Sequence, residues 1–253
     1  MTLTGTTHRE RDYMRAALRL ARRGYGTTSP NPMVGVVLVK GGRIIGRGWH
    51  HRAGEPHAEI EALRDAQERG HTIKGATLYV TLEPCSTYGR TPPCTDAIVA
   101  AGIKRVVAGA IDPNPRHSGR AFKILHEAGL AVTQGVMAEE CGRLNEAFNH
   151  WIVEGTPFVT VKAGMTLDGK IATAAGESRW ITGEHARAYG MRLRQGADAI
   201  LAGINTVLAD NPSLTTRKVG AGVRGLWSVV RGLCPLFPLP SSIFLLSSSS
   251  PAA

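Results

Sequence analysis

The chain has 253 residues, 43% of them apolar, and a formal net charge of +10, so it is long enough for two ordinary domains with hydrophobic cores. Its four cysteines are too sparse for a disulfide framework, and its polar start, MTLTGTTHRERDYMR, is unlike a signal peptide, so a cytoplasmic protein is expected. The basic residues are scattered, without the aromatic-interleaved stripe of single-strand binders, which disfavours nucleic acid as a partner.

The spacing of apolar residues predicts alternating helices and strands in the first part of the chain. Helices are predicted, in chain order, at 9–23, 57–69, 95–101, 121–128 and 138–151. Strands are predicted at 33–40, 43–48, 77–82, 105–111 and 131–136, the first two joined by a hairpin turn at Gly41-Gly42. This alternation is typical of a layered α/β domain with a buried sheet, and we assign residues 1–150 to it.

The second part of the chain predicts a strand at 158–163, a helix at 184–194 and a strand at 198–203, and we assign residues 151–218 to a partial domain. Beyond it, residues 219–253 contain seven Ser and four Pro but only two charged residues, which predicts a disordered tail. The apolar stretch 233–246 is shorter than a membrane span and contains three prolines, so no membrane segment is expected.

Two segments carry the chemistry of the first domain: HAE at 57–59 and EPCSTYGRTPPC at 83–94. A catalytic zinc ion takes three nitrogen or sulfur ligands from the protein and keeps its fourth position for water. His57, Cys85 and Cys94 supply such a set. The predicted helices place both cysteines at or just before helix starts, where exposed N–H groups favour thiolates.

Glu59 lies two residues after the histidine, too close to share the metal but well placed to move protons beside it. Base deaminases that use zinc carry an H-x-E signature in which the glutamate is an acid/base and not a ligand. Two alternatives stay open at this point. The histidine and cysteines could be ordinary buried residues, or Cys141 could close a structural zinc site as a fourth ligand.

Seven stretches, in order between residues 9 and 217, resemble the bifunctional riboflavin-biosynthesis deaminase/reductases. They are SPNPMVGVVLV (29–39), HAEIEAL (57–63), TLEPCSTYGRTPPCTDAI (81–98), AIDPNP (110–115), VKAGMTLDGKIAT (161–173), GESRWIT (176–182) and TVLADNPSLTTR (206–217). The most specific is the third, because eight residues ending in GRTPP separate its cysteines where a bare zinc-deaminase signature has two.

The resemblance implies a cytidine-deaminase-like three-layer α/β/α domain followed by an incomplete dihydrofolate-reductase-like α/β domain. It also implies zinc-dependent hydrolytic deamination of a phosphorylated small-molecule pyrimidine, 2,5-diamino-6-ribosylamino-4(3H)-pyrimidinone 5′-phosphate. Reduction of the ribose to a ribityl chain with NADPH would follow. The family continues well beyond the point that corresponds to residue 217, so we expect the reductase domain to be truncated or altered and its activity impaired.

Residue by residue, the resemblance implies zinc ligands at His57, Cys85 and Cys94, with Glu59 as the proton shuttle. The implied deaminase substrate contacts are Asn31, His50 and Arg90. The implied NADP contacts are Gly164, Trp180, Thr206 and Asp210, and the implied reductase substrate contacts are Ser178, Arg194, Leu214 and Arg217. The chemistry of two residue types agrees: an arginine offers a forked, permanently charged donor to a phosphate, and an asparagine amide offers both a donor and an acceptor to a pyrimidine edge.

Two rival interpretations belong to different classes. One is a nucleoside or tRNA-base deaminase, which the long loop between the cysteines and the second domain disfavour. The other is a catalytically idle remnant that only binds zinc or a partner, as the atypical tail suggests. The leading interpretation is compatible with a homo-oligomer and requires neither nucleic acid nor a membrane.

Overall fold

The computed structural model describes residues 7–88, 92–216, 227–229 and 243–248, and for the last two ranges only the backbone. It divides the chain into two units, Met1–Val159 and Thr160–Ala253. The domain boundary predicted near residue 150 falls inside the helix Glu146–Glu154, a few residues before this division.

The elements of the first unit follow the predicted alternation closely. Its helices are α1 (His8–Ala21), α2 (Ala58–Glu68), α3 (Cys94–Ala100), α4 (Arg120–Glu127), α5 (Ala138–Leu144) and α6 (Glu146–Glu154). A short 3-10 turn, Arg22–Gly24, follows α1. Its strands are β1 (Gly35–Lys40), β2 (Arg43–Trp49), β3 (Thr77–Leu82), β4 (Arg105–Ala110) and β5 (Ala131–Thr133).

The five strands form one mixed sheet in the order β2-β1-β3-β4-β5. The hairpin partner β2 and the neighbour β3 both run antiparallel to β1, whereas β3, β4 and β5 are parallel to one another. Because β3 and β4 are parallel, the carboxyl ends of both strands lie at the same edge of the sheet. Loops that follow these two strands are therefore neighbours.

Alternate residues of β1 face two different helical layers. Val36 and Leu38 belong to one hydrophobic cluster, and Val37 and Val39 belong to another. The first cluster includes residues of α2, α3 and α4, such as Ala62, Ile98 and Leu125, and the second includes residues of α1 and α5, such as Met14 and Cys141. A strand that is covered on both faces reads as a continuous apolar run, as GVVLV does. The expected three-layer α/β/α architecture is confirmed.

Two glycines allow helices to lie directly on the strands. A Cβ atom on Gly48 of β2 would lie 2.2 Å from the carbonyl oxygen of Ala58 and 2.4 Å from the nitrogen of Ala62, both in α2. A Cβ atom on Gly35 of β1 would lie 2.1 Å from the carbonyl oxygen of Ala17 in α1. No side chain fits at either distance, so glycine is required for this close approach of backbones. The contact at Gly48 fixes the first turn of α2 against the sheet.

The predicted helix 138–151 is interrupted. The chain leaves helical geometry at Asn145 (φ −117°, ψ 29°), where α5 ends and α6 begins. The predicted strand 131–136 ends early, at Thr133, because only its first three residues pair with β4.

The prediction of a strand at 158–163 is wrong. The structure describes these residues without strand pairing, and Val161 is 87% exposed. The apolar run VTV that suggested a strand has no neighbouring strand to complete its backbone hydrogen bonds among the described residues.

The second unit contains α7 (Glu184–Gln195), β6 (Ala199–Gly203), α8 (Ile204–Asp210), β7 (Trp227–Val229) and β8 (Ile243–Ser248). Its three strands form an antiparallel sheet in the order β6-β8-β7. The predicted helix 184–194 and strand 198–203 are present within one residue of their bounds, and α8 was not predicted. Between residues 160 and 216, no side chain is buried.

The prediction that residues 219–253 are disordered is contradicted at β7 and β8. The backbone of β8 pairs with β6 from Ala199 opposite Ser247 to Gly203 opposite Ile243. This pairing over five residues joins segments that are about 40 residues apart in sequence, so the composition of the segment 219–253 does not predict it. The other residues of this predicted tail lie outside the described ranges.

In the ranges that the structure describes, no helix combines the length and the apolar character needed to cross a membrane. One of the longer helices, α1, has 14 residues, fewer than the roughly 20 that a span requires.

We predict that Gly48→Ala lowers the free energy of unfolding by about 2 kcal/mol or more, because its methyl group meets backbone atoms that cannot rotate away. The matched control is Gly142→Ala in α5, where nothing lies within 4 Å of an added Cβ; it should stabilise the helix by up to about 1 kcal/mol. Denaturant unfolding measures both. Equal effects of the two substitutions would contradict the close packing of α2 on β2.

Candidate metal and catalytic site

The first turn of α2 presents the histidine and the glutamate of the HAE segment. His57 is the N-cap residue of the helix, with extended backbone angles (φ −73°, ψ 162°), and Glu59 is the second residue of the helix proper. The carbonyl of His57 already accepts the first helical hydrogen bond, from the N–H of Glu61. The helix start therefore fixes the direction of both side chains relative to the sheet.

The two cysteines reach the same place from β3 and α3. Cys94 is the first residue of α3, as expected. Cys85 lies in the loop after β3 and not at a helix start, which corrects the expectation for this residue. The backbone N–H of Cys94 nevertheless donates to the sulfur of Cys85 at 3.2 Å, and the N–H of Thr95 donates to its carbonyl oxygen at 3.2 Å. The N-terminus of α3 thus stabilises a thiolate at Cys85, although Cys85 precedes this helix by nine residues in the sequence.

The three candidate ligands converge on one point. The Nδ1 atom of His57 lies 3.4 Å from the sulfur of Cys85 and 3.3 Å from the sulfur of Cys94, and all three atoms lie within 4.8 Å of one another. Two thiols and one imidazole are the ligand types that zinc prefers, and a set of three leaves the fourth tetrahedral position open. The donor set fits a catalytic zinc ion.

Cys141 does not join this group. It is buried on α5 in the other helical layer, and burial raises the pKa of its thiol to about 12. Among the described residues, the ligand atoms that lie close enough to share a metal come from His57, Cys85 and Cys94. The alternative of a site closed by Cys141 therefore has no support in the geometry.

The two thiols are electrostatically unequal. A hydrogen bond from the Cys94 thiol lowers the pKa of Cys85, which favours the thiolate at this sulfur. The same hydrogen bond raises the pKa of Cys94, which retains the proton. The hydrogen bond to Cys85 also raises the pKa of His57. A divalent cation at the centre of the three would replace the shared protons and hold both sulfurs as thiolates.

Glu59 is the buried acid of the site. Only 3% of its surface is exposed, and burial raises the pKa of its carboxyl group to about 7, with the Cys85 thiolate acting in the same direction. Its side chain also hydrogen-bonds with Cys94. A carboxyl group whose pKa lies near neutrality, next to a candidate zinc ligand, is suited to gain and lose a proton during a reaction.

His50 lies beside the candidate ligand His57, and Asn31 lies beside His50. The His50 ring, 3% exposed as a residue, stands edge-on to His57 with 5.4 Å between ring centroids. Its Nδ1 atom donates to the carbonyl oxygen of Pro56 at 3.2 Å, and burial lowers its pKa and so keeps it neutral. Its Nε2 atom is then an acceptor, and the amide nitrogen of Asn31 donates to it at 3.2 Å.

Glu83 is a residue that the sequence analysis missed. Its buried carboxylate accepts three backbone hydrogen bonds, from the N–H groups of Asp112 (3.2 Å), Gly119 (2.9 Å) and Ala121 (3.0 Å). It thereby ties the end of β3, two residues before Cys85, to the loop that follows β4. The signal was available: an acidic residue directly after a buried strand needs partners.

The residues implied for the reductase lie in the second unit, and all those described are at least partly exposed. Thr206 and Asp210 lie on α8, and an ion pair of 3.4 Å between Asp210 and Arg179 brings the flanking Ser178 and Trp180 towards that helix. Trp180 is 73% exposed, and the guanidinium group of Arg187 lies over its ring at 4.6 Å from the centroid.

Of the four further residues implied for the reductase, the structure describes Arg194, Leu214 and Gly164. Arg194 lies on α7 and donates to the carbonyl oxygen of Ser213 at 3.2 Å, next to the half-buried Leu214. Gly164 lies in a loop, near the side chains of Thr182 and Lys162. Arg90 and Arg217 lie outside the described residues.

Two family patterns match the chain. Residues 7–110 match the cytidine and deoxycytidylate deaminase zinc-binding region, and residues 157–230 match the RibD C-terminal domain. The first match contains all three candidate zinc ligands and Glu59. The two matches follow each other in the order of the two structural units.

The chain is also similar to proteins of riboflavin biosynthesis over most of its length. The chain is 52% identical over 210 residues to the riboflavin biosynthesis protein RibD of Aquifex aeolicus, covering 83% of this chain and 58% of the relative. It is 54% identical over 205 residues to RibD of Escherichia coli, covering 81% of this chain and 55% of the relative. The chain thus spans somewhat more than half the length of these curated relatives.

A solved structure of a deaminase/reductase is similar in fold to the chain. The crystal structure of a diaminohydroxyphosphoribosylaminopyrimidine deaminase/5-amino-6-(5-phosphoribosylamino)uracil reductase from Thermotoga maritima superposes with a TM-score of 0.79 and 47% identity. The match covers 83% of this chain and 60% of that one.

We predict that the protein purifies with about one zinc ion per chain, because one three-ligand set is found in the part of the chain that the structure describes. The double substitution Cys85→Ser/Cys94→Ser should abolish zinc binding, since a single imidazole remains. Cys141→Ala is the matched control and should retain the metal. Elemental analysis of the three purified proteins checks this, and undiminished zinc in the double variant would contradict the assignment.

Proposed function

This chain belongs to the family of bifunctional riboflavin-biosynthesis deaminase/reductases, and from that premise we propose that its first unit hydrolytically deaminates an aminopyrimidine that carries a ribose 5′-phosphate. The substrate that the family resemblance implies is 2,5-diamino-6-ribosylamino-4(3H)-pyrimidinone 5′-phosphate. In the reaction, water replaces the amino group on a ring carbon, and ammonia leaves.

The observation that carries the proposal is the convergence of three ligand atoms beside a buried carboxyl group. His57, Cys85 and Cys94 would hold a zinc ion. When bound, zinc lowers the pKa of a coordinated water towards about 7 and so supplies a nucleophile at neutral pH.

Glu59 performs the proton transfers in this proposal. Its carboxylate takes a proton from the attacking water and delivers it to the departing amino group, so that the leaving species is neutral ammonia. Burial supports both halves of this role, because a pKa of about 7 lets one carboxyl group act first as a base and then as an acid.

Asn31 and His50 bind and orient the pyrimidine. The hydrogen bond from Asn31 to His50 uses one of the two amide N–H groups of Asn31, so the second N–H can donate to the substrate and the amide oxygen can accept from it. His50 itself is held by Pro56 and cannot rotate without breaking that bond. Arg90 is proposed to pair with the 5′-phosphate on the basis of the family resemblance and the chemistry of guanidinium groups.

Glu59→Gln should keep zinc and lose deamination by at least about 10²-fold, because the amide has the size of the carboxyl group but cannot accept a proton. The matched control is Glu61→Gln in the same helical turn, where the partly exposed carboxylate forms an ion pair with Arg64 at 2.9 Å. Ammonia release under saturating substrate measures both. Near-normal turnover by the Glu59 variant would exclude the shuttle role, whereas an inactive wild-type chain would exclude the function.

We further propose that the second unit gives little or no reduction, although residues 157–230 match the RibD C-terminal domain. The support is its exposure: no side chain between residues 160 and 216 is buried. A site that holds a dinucleotide needs to enclose most of the ligand surface. Gly164, Trp180, Thr206 and Asp210 would therefore contact NADPH only weakly.

The reductase assay supplies the deaminated intermediate directly and measures the oxidation of NADPH by its absorbance. We expect this rate to be at least about 100-fold lower than the rate of deamination, because a loss of this scale follows when reactants are poorly positioned. The Glu59→Gln variant serves as control, because it should show the same low rate in this assay. Reduction at a rate comparable with deamination would contradict the proposal.

A cytoplasmic location and a homo-oligomer remain predictions from the sequence.

A further inference from the structure

Asn145, outside the segment that matches the zinc-binding region, forms a two-point contact with the chain near the site. Its amide oxygen accepts from the backbone N–H of Met33 at 2.8 Å, and its amide nitrogen donates to the carbonyl oxygen of Met33 at 2.9 Å. Asn145 is 5% exposed, although it lies at the junction of α5 and α6. The side-chain amide thus pairs with both polar groups of one residue, as a neighbouring strand would.

The sheet explains why Met33 needs this partner. On one side, the segment before β1 continues to pair with the end of β2, since the carbonyl of Val34 accepts from the N–H of His50 at 2.9 Å. On the other side, the ladder between β1 and β3 ends at Val36 opposite Val80. Beyond that pair, β3 continues to bond with β4 on its other side, and the N–H of Glu83 donates to the carbonyl oxygen of Ala110.

The polar groups of Met33 are consequently left beyond the end of a strand ladder. A backbone N–H or C=O in such a position costs free energy unless it finds a partner. The amide of an asparagine carries one donor and one acceptor at the spacing of a peptide group and can satisfy both. The same contact accounts for the break between α5 and α6, because Asn145 leaves helical geometry where it makes these bonds.

Met33 lies two residues after Asn31, the residue proposed to bind the pyrimidine. We propose that Asn145 is a positioning residue of the deaminase site, whose amide clamps Met33 and so holds Asn31 against His50. This proposal rests on the proposed function. It adds a requirement that the zinc-binding segment alone does not meet: the helical junction some 110 residues further along the chain must be in place.

Both Asn31 and His50 are then held by hydrogen bonds to other parts of the chain. His50 is held through its ring by Pro56 and through its backbone by Val34. Asn31 is held through its backbone by Thr28 at 2.7 Å and, through Met33, by Asn145. Without the clamp, the segment 31–33 loses its anchor on the side away from β2, and the amide of Asn31 no longer has one orientation.

Asn145→Asp tests the proposal with little change in size. The acid keeps an acceptor for the N–H of Met33 but places an oxygen against its carbonyl oxygen. We expect zinc content to be unchanged, KM to rise about tenfold and kcat to fall less than about threefold, because a binding contact is lost and the proton shuttle is intact. Asn145→Ala, which introduces no charge, is a second variant. Asn149→Asp on α6, whose amide donates to Gly142 at 3.0 Å, is the matched control and should leave KM unchanged.

A double-mutant cycle with Asn31→Ala separates positioning from general structural support. If Asn145 acts through Asn31, Asn145→Asp should change KM by less than about twofold in the Asn31→Ala background. Additive effects of the two substitutions would overturn the proposal.

A spectroscopic measurement tests the clamp without turnover. In protein labelled with ¹⁵N-histidine, the His50 Nε2 resonance, assigned with His50→Gln, should move in Asn145→Asp and stay in place in Asn149→Asp. An unmoved resonance in Asn145→Asp would overturn the proposal. If the wild-type chain releases no ammonia, the proposed function fails, and this resonance alone decides whether Asn145 holds Asn31.

Discussion

The fold of the first unit is constrained by the need to bring one imidazole nitrogen and two sulfurs within 4.8 Å of each other from three separate elements. The histidine comes from the start of α2, one cysteine from the loop after β3 and the other from the start of α3. Each of these elements is held in place by a different interaction. Gly48 lets α2 lie on β2, Glu83 ties the end of β3 to the next loop, and the N–H of Cys94 binds the sulfur of Cys85.

Two buried polar side chains, those of Glu83 and Asn145, do much of the fine positioning, and both have partners. Glu83 accepts three backbone hydrogen bonds, and Asn145 makes two with Met33. Such groups would cost free energy if they were left unpaired, so their burial is stable only in one arrangement of the loops. Apolar packing holds the three layers together, whereas these polar contacts decide where the reactive side chains lie. Between residues 160 and 216 of the second unit, by contrast, no side chain is buried.

Much of this could be predicted from the sequence because it is local. The apolar spacing located the helices and strands of the first unit, and the spacing of HAE and the two cysteines identified the ligand set. Two of the failures come from contact between residues distant in sequence. Nothing near Asn145 predicts that its amide binds Met33, so a continuous helix was expected there. Likewise, the pairing of β8 with β6 is not visible in the composition of the tail.

The central claim is that three protein ligands hold zinc and leave its fourth position open beside Glu59. X-ray absorption at the zinc edge of the purified chain measures this most directly. The account predicts two sulfur neighbours at about 2.3 Å and two nitrogen or oxygen neighbours at about 2.0–2.1 Å, one from His57 and one from solvent. A shell with three or more sulfurs, or one without sulfur, would contradict it.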